Sequence, residues 1–238
     1  GTQFRQWATE HLTEYLVKGF TMDDERLKNP DGRPDYFDEL LLRIRDIRAS
    51  EKRFYQKVRD LLALSSDYDK TDKAAQMFFA ETQNKLLYAV THQTAAEIVV
   101  SRADANKPNM GLTTWKGSVV RKGDIVVAKN YLLQDEIESL DRLVDIFLTS
   151  AEERVKGRRD LTLDYWRKNV DNLLTFQEKD ILQGKGHISN EEMENMVRQV
   201  YTTFDAQRRK KDALQADAED LKLLEDLERS VKEKGKNK

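Results

Sequence analysis

Apolar residues recur every three to four positions along most of the 238-residue chain. This spacing places them on one face of an α-helix, so it predicts amphipathic helices separated by short polar segments. The predicted helices cover residues 4–17, 35–64, 72–90, 94–103, 135–156 and 162–182, and a last long helix begins at the capping box Ser189-x-x-Glu192. Three prolines and ten glycines leave these patterns largely uninterrupted. We therefore predict an all-α fold, a multi-helix bundle of about seven helices.

Residues 102–131 lack this helical periodicity and form an irregular insert in the predicted bundle. The insert contains Pro108 and three of the glycines, together with many Lys, Arg, Asn and aromatic side chains. Its apolar runs at 118–120 and 125–128 are candidates for a minor pair of strands. Irregular segments carried by a rigid scaffold often hold binding residues, so the insert is the first candidate for a functional site.

The chain is predicted to have three parts. Residues 1–20 form a helix of a fragment whose natural N-terminal part is missing, because the chain opens inside a helical pattern without a Met. Residues 21–209 form a helical body that begins with a polar loop up to residue 34. Residues 210–238 form a charged helical extension and tail, in which Leu214 and Leu221 leave a weak heptad pattern interrupted by Asp217. We expect a homodimer that uses this last long helix.

Charge is unevenly distributed along the chain, which has a formal net charge of -2. Residues 43–59 contain seven basic and two acidic residues, and the insert contains six basic and two acidic residues. Separated charge of this kind can create a local positive field on an acidic protein and attract nucleic acid. The alternative is an ordinary solvated helix surface, which also carries many charges.

Residue types that are missing from the chain exclude or disfavour several kinds of chemistry. The chain has no Cys, so disulfides, Cys-ligated zinc and cysteine nucleophiles are excluded, and a reducing compartment is favoured. Its three histidines lack the spacing of a metal site. No apolar run reaches the ~18–20 residues that span a membrane. We therefore expect a cytoplasmic protein with no cofactor, no metal and no membrane association.

Basic, polar and aromatic side chains of the helix 35–64 and of the insert are candidates for contact with nucleic acid or another partner. Lys and Arg neutralise phosphate, Asn can hydrogen-bond to phosphate or base edges, and Trp or Tyr can stack on a base. The candidates are Arg48, Lys52, Arg102, Lys107, Asn109, Trp115, Lys116, Lys122, Lys129, Asn130 and Tyr131. In the alternative, Trp115 and Tyr131 pack the insert onto the helices, and the charges solvate it.

An enzymatic alternative uses carboxylates and lysines between residues 81 and 129. These side chains would converge as an acid–lysine site of a metal-dependent, nuclease-like enzyme. They are Glu81, Glu97, Asp104, Asp124, Lys122 and Lys129. Helical periodicity does not place Glu81 and Glu97 on one face, and no serine hydrolase, Walker or dinucleotide-binding motif occurs in the chain. We therefore favour a non-enzymatic role.

Six blocks of the sequence resemble the RhuM virulence-protein family in their order and spacing. The blocks are Phe78-Phe79-Ala80-Glu81-Thr82-Gln83-Asn84-Lys85-Leu86-Leu87-Tyr88-Ala89-Val90-Thr91, Thr94-Ala95-Ala96-Glu97, Arg102-Ala103-Asp104, Lys107-Pro108-Asn109-Met110-Gly111-Leu112, Trp115-Lys116-Gly117 and Ala128-Lys129-Asn130-Tyr131-Leu132. The segment Phe4-Arg5-Gln6-Trp7-Ala8-Thr9 is similar to the last helix of a BRO-type phage antirepressor DNA-binding domain, which precedes a helical body in that family. The resemblance spans residues 1–209, although Leu148-Thr149-Ser150 departs from the family pattern.

The resemblance implies a bacterial protein that is often encoded near phage, restriction or pathogenicity loci, with a DNA-binding-like domain to which residues 1–20 belong. It brings no established reaction, so no catalytic residue is carried over. We predict that the chain is the dimerising and partner-binding body of a DNA-associated bacterial regulatory or phage-defence-linked virulence protein. Nucleic acid would then be bound mainly by the missing N-terminal domain, with a weaker contribution from the basic faces.

Overall fold

A computed structural model gives the structure of residues 1–67, 72–157 and 161–236. Within these ranges the chain is all-α and has no β-strand, which confirms the predicted fold class. The α-helices are α1 (Thr2–Lys18), α2 (Asp24–Lys28), α3 (Phe37–Ala49), α4 (Glu51–Leu62), α5 (Asp72–Thr91), α6 (Ala95–Arg102), α7 (Gln134–Lys156), α8 (Leu163–Phe176) and α9 (Asn190–Lys236). Two short 3₁₀ turns, Pro108–Gly111 and Ala128–Tyr131, lie in the insert.

Two predictions near the start of the chain are wrong. The single helix predicted for 35–64 is two helices, because the backbone of Ser50 is extended with ψ 137°. Ser is a poor residue for a helix interior, so it is a suitable place for this break. The predicted loop 20–34 contains the one-turn helix α2, whose N-terminus is capped by Asp23 accepting a hydrogen bond from the Arg26 N–H at 3.0 Å.

Helix α8 ends six residues earlier than the periodicity predicts. Glu178 adopts a left-handed backbone with φ 54°, and the Lys179 N–H donates to the Leu174 carbonyl at 2.9 Å. This hydrogen bond closes the helix in the manner of a Schellman motif. Glycine usually marks such an end, and its absence here is why the predicted helix extends to residue 182. From the sequence, Thr71 is a candidate N-cap for the helix predicted at 72–90, but it lies outside the described residues.

The chain divides into two compact units, Gly1–Ile47 and Arg48–Lys238. The sequence-based boundary at residue 20 lies within the first unit, so the assignment of residues 1–20 to a DNA-binding-like domain stays a prediction. Residues 1–47 are all described, and none of them is buried. Helix α1 instead exposes several large apolar side chains. They are Phe4, Trp7, Leu12, Tyr15, Leu16 and Val17.

The second unit has a hydrophobic core to which every helix from α4 to α9 and the insert contribute. Helix α5 packs against α4, α6, α7 and α8, whereas α6 packs against α9 and the second 3₁₀ turn. Phe54 on α4 contacts Phe79 on α5, with 5.3 Å between ring centroids, and Phe147 on α7 at 6.1 Å. Aromatic pairs at such distances pack favourably beyond the area that they bury. The core therefore fixes the helices that carry the insert.

Helix α9 begins at the predicted capping box. The Ser189 hydroxyl accepts from the Glu192 N–H at 3.2 Å, and the Glu192 carboxylate accepts from the Ser189 N–H at 2.9 Å. Its first turns bury Met193 and Val197, and Tyr201 packs against the core. Residues 209–222, in contrast, are all exposed.

Candidate partner-binding insert

The insert keeps its irregular backbone and forms no strand pair. The predicted strands at 118–120 and 125–128 are absent, since residues 118–119 form bends, residues 125–126 lie in a turn and Ala128 begins the second 3₁₀ turn. The Asp124 N–H donates to the Arg121 carbonyl at 2.9 Å, and the Asn130 N–H donates to the Val127 carbonyl at 3.1 Å. Such local turns engage backbone groups that a strand ladder would need.

One side of the insert is part of the core. Six of its residues are buried, namely Met110, Leu112, Val120, Ile125, Ala128 and Tyr131. Tyr131 is 1% exposed, and its hydroxyl donates to the Ile125 carbonyl at 3.0 Å. Burial raises the pKa of the Tyr131 hydroxyl well above its ordinary value. The expectation that this ring stacks on a base is therefore corrected, because it packs inside the protein.

Arg102 fastens both ends of the insert. Its guanidinium donates to the two Glu136 carboxylate oxygens at 2.6 and 2.7 Å and to the Tyr131 carbonyl at 2.8 Å. Glu136 also accepts from the Leu133 N–H at 2.8 Å, at the start of α7. The hydrogen bond from Arg102 holds the pKa of Glu136 below its usual value. The charge of Arg102 is thus engaged within the fold.

Asp124 and Asn130 organise the middle of the insert. The Asp124 carboxylate accepts from the Arg121 N–H at 2.8 Å and from the Lys116 N–H at 3.3 Å. The Asn130 side-chain amide donates to the Asp124 carbonyl at 2.9 Å, and the Asn130 carbonyl accepts from the Thr113 N–H at 2.8 Å. Both side chains therefore hold the backbone of the insert in place.

Two more basic candidates form ion pairs within the second unit. The Lys129 ammonium lies 3.1 Å from the buried carboxylate of Asp141 on α7. Arg48 lies 2.6 Å from Asp145 and 3.7 Å from Glu152, and both partners are on α7. Partly buried pairs of this kind are less available to an external phosphate than exposed lysines are.

The basic side chains that point to solvent form a smaller set. Lys107, Lys116, Arg121 and Lys122 on the insert are exposed, as are Asn109 and, on α4, Lys52. Trp115 is half-buried and packs against the core. Arg121 was not among the sequence-based candidates, although its position next to Lys122 in the insert was an available signal. Glu136 was also missed, because its pairing with Arg102 spans 34 residues of sequence.

The carboxylates of the enzymatic alternative make separate structural contacts. Glu81 lies 3.1 Å from Arg167 on α8 and 3.6 Å from Lys85. Asp104 accepts from the Asn106 N–H at 2.9 Å in a local turn, and Asp124 holds the turn described above. Among the described residues, no group of three His, Cys, Asp or Glu side chains could hold a metal ion. The geometry therefore gives the nuclease alternative no support.

Glu97, the remaining carboxylate of that alternative, joins α6 to the loop before α9. It accepts from the Thr94 N–H and from the His187 N–H, each at 2.8 Å. Burial acts to raise the pKa of Glu97, but these hydrogen bonds outweigh it and lower the pKa. Gly186 lies beside this contact, and a Cβ there would come within 2.6 Å of the Thr94 side chain. Glu97 is thus explained as a helix cap and loop anchor.

The fold and the insert together define a class of protein: an all-α scaffold that carries a fixed, basic, irregular segment. A family model described as the Virulence protein RhuM family matches residues 1–212. The chain belongs to this family, as the resemblance of its sequence blocks implied. No curated protein and no solved structure matches the chain. In the parts of the chain that the structure covers, no helix has both the length and the apolar character to cross a bilayer.

Proposed function

We propose that the protein is the dimerising and partner-binding body of a DNA-associated regulatory or phage-defence-linked protein, and that the exposed face of the insert contacts nucleic acid. The exposed basic and polar side chains of the insert that would make this contact are Lys107, Asn109, Lys116, Arg121 and Lys122. The observation that carries the proposal is that the insert combines exposed basic side chains with a backbone held in place by hydrogen bonds inside the protein. We expect the protein to act in the cytoplasm.

Fixation of the backbone matters because a binding surface that is already ordered loses little conformational entropy when a partner arrives. The turns around Asp124 and the Arg102–Glu136 pair supply that order. Lys and Arg on such a surface can neutralise phosphates and release their counterions. Arg48, Arg102 and Lys129 remain candidates by sequence, but their internal carboxylate partners make them weaker ones than the exposed lysines.

The dimer is supported by the shape of α9. A helix of 47 residues is about 70 Å long. Its first turns pack on the core, whereas residues 209–222 project with every side chain exposed. An isolated helix has little intrinsic stability in water, and pairing with a second helix supplies the missing contacts. We infer that two copies of the chain associate through this part of α9.

The insert surface can be tested by fluorescence anisotropy with labelled duplex DNA, single-stranded DNA and RNA over a range of salt concentrations. The variant is Lys107→Ala/Lys116→Ala/Lys122→Ala. Its matched control is Lys156→Ala/Lys168→Ala/Arg198→Ala, which removes three charges from exposed positions on α7, α8 and α9. We expect the insert variant alone to weaken binding, and to reduce the slope of log affinity against log salt by roughly 0.7–0.9 per lost phosphate contact.

Two results would overturn the nucleic-acid proposal. One is the absence of binding to all three probes at low salt, where phosphate contacts are strongest. The other is equal weakening by the insert variant and by the control, because the charge of the whole protein would then explain the effect. Circular dichroism of both variants checks that the helices are intact.

A further inference from the structure

The exposed part of α9 separates its charges along the helix. Residues 208–211 are four consecutive basic residues, whereas positions 217–220 contain Asp217, Glu219 and Asp220. Asp205 pairs with Arg208 and lies 2.8 Å from Arg209, so the first two basic residues have partners within the helix. Lys210 and Lys211 are exposed on the next positions. Like charges in consecutive blocks repel each other along one helix, and this repulsion favours contact with a block of opposite sign.

A narrow apolar face runs between these blocks. Leu214 and Leu221 are seven residues apart and are 61% and 63% exposed. Seven residues make about two turns, so both leucines lie on one face of the helix. Ala218 lies between them on the same face, and small side chains allow two helices to approach closely. Lys210 and Asp217 flank one edge of this face, since they too are separated by two turns.

We propose that two copies of the chain pair through the Leu214–Leu221 face with their α9 helices antiparallel. Leu214 of each copy then lies near the two-fold axis, and Lys210 of each copy lies beside Asp217 of the other. The arrangement is isologous, so this pair occurs twice in one interface. This inference rests on the dimer proposed above and adds the direction of the helices.

Charge decides between antiparallel and parallel pairing. A parallel pair in register would place residues 208–211 of the two copies side by side. Lys211 of one copy would then face Lys211 of the other copy between the two helices. It would gain a contact between Asp217 and Lys222, but the two basic blocks would still repel each other. Antiparallel pairing places each basic block over the acidic block of the second copy. It also opposes the two helix dipoles, which is favourable.

The apolar face is small, so the dimer is weak and its affinity depends on salt. Screening shortens the range of charge attraction from about 10 Å at 0.1 M salt to about 3 Å at 1 M. We therefore expect the dissociation constant of the dimer to rise with added salt. A dimer held mainly by apolar area would show little such change.

The direction of the helices can be determined from disulfide formation, since the 238-residue chain has no Cys that would interfere. Single-Cys variants Gln207→Cys and Leu221→Cys place a thiol on the proposed face at equal distances from Leu214. In the antiparallel dimer Cys at 207 meets Cys at 221 of the second copy, so a mixture of the two variants forms a mixed disulfide. Neither variant alone forms one efficiently, because a disulfide requires Cα atoms within about 7 Å.

A charge exchange provides a second readout that does not require Leu221 to be replaced. Analytical ultracentrifugation of Lys210→Asp and of Asp217→Lys, each alone, is expected to show a dissociation constant raised at least about fivefold. Mixing the two variants restores opposite charges at both contacts and should restore association. Lys156→Asp on α7 is the control, because it makes the same charge change on another exposed surface.

The possible results separate this inference from the proposed function. Disulfides within each single variant, or no recovery in the charge-exchange mixture, would overturn antiparallel pairing while leaving a dimer. A chain that remains monomeric at all concentrations would overturn both the pairing and the dimer. Nucleic-acid binding by the insert is measured independently and does not depend on either result.

Discussion

The N-terminal unit and the insert differ in the burial of their side chains, and their secondary structure does not suggest this difference. Residues 1–47 contain α1, α2 and most of α3, yet none of their side chains is buried. The insert, residues 102–131, has little regular structure, yet six of its residues lie in the core. Regular backbone hydrogen bonding and tertiary packing are therefore separate properties in this chain.

Local and long-range contacts explain the difference. In α1 the ring contacts are local, with Phe4 and Trp7 at 5.9 Å and Trp7 and His11 at 4.6 Å between centroids. In the insert, Arg102 reaches Glu136 across 34 residues, and the Tyr201 hydroxyl donates to the Val120 carbonyl across 81 residues at 3.4 Å. Substitutions in the insert should accordingly affect global stability more than substitutions in α1 do.

The largest expected effect is that of Gly111→Ala. Gly111 has φ +83°, and a Cβ there would lie 2.5 Å from the Arg102 carbonyl oxygen, a backbone atom that cannot move aside easily. Strain and clash together should cost roughly 3 kcal/mol or more of unfolding free energy. Chemical denaturation followed by circular dichroism measures this loss.

Gly117→Ala is the matched control for that variant. Gly117 also has a left-handed backbone, with φ +87°, but the nearest atom to a Cβ is on the flexible Arg121 side chain at 3.8 Å. We expect a loss of about 1 kcal/mol from backbone strain alone. Equal losses in the two variants would show that the close approach of Gly111 to Arg102 has no energetic role.

The next largest effect is expected for Trp115→Ala, which separates packing from stacking. Trp115 is half-buried and packs against the core, so its removal should lower the unfolding free energy by about 2–3 kcal/mol. A ring that serves mainly to stack on a base would instead leave stability nearly unchanged and cost about 1–3 kcal/mol of binding. Denaturation and anisotropy on the same variant distinguish the two roles.

The sequence predicted the helices well, and it located the insert as the irregular segment. It did not predict which insert side chains face inward, because no period of 2 or 3.6 applies to a series of turns. Tyr131 and Arg102 were candidates for binding on composition, but a buried hydrogen bond and a carboxylate on another helix engage them. Those partners are set by tertiary structure, which one sequence does not display. Lys107, Lys116 and Lys122 are exposed in the structure, and their role in binding stays a prediction.

A smaller effect, which depends on pH, is expected for Glu136→Gln. Arg102 lowers the pKa of Glu136 in the folded protein, so the pair stabilises the fold above the unfolded pKa, near 4.5. That contribution is lost as the pH falls through the lower, folded pKa. At neutral pH the variant should lose about 2 kcal/mol, the scale of a charged hydrogen bond.

The pH dependence provides the decisive comparison for this pair. Denaturation at several pH values should show a smaller loss of stability on acidification for Glu136→Gln than for the natural chain. Glu138→Gln is the control, since Glu138 is also on α7 but contacts residues of its own helix, Gln134 at 3.2 Å and Arg142 at 3.4 Å. If both variants lose the same stability on acidification, the Arg102–Glu136 pair does not stabilise the insert.

The smallest effect is expected for Trp7→Ala in α1. Trp7 is 56% exposed, and its ring contacts are with residues of its own helix. Truncation should therefore change the unfolding free energy by only about 0.5 kcal/mol, as is usual for surface positions. Trp115→Ala removes the same side chain from the insert, so the pair of variants compares the two regions directly. A loss for Trp7→Ala as large as that for Trp115→Ala would mean that α1 is packed in solution, and the contrast between the two regions would fail.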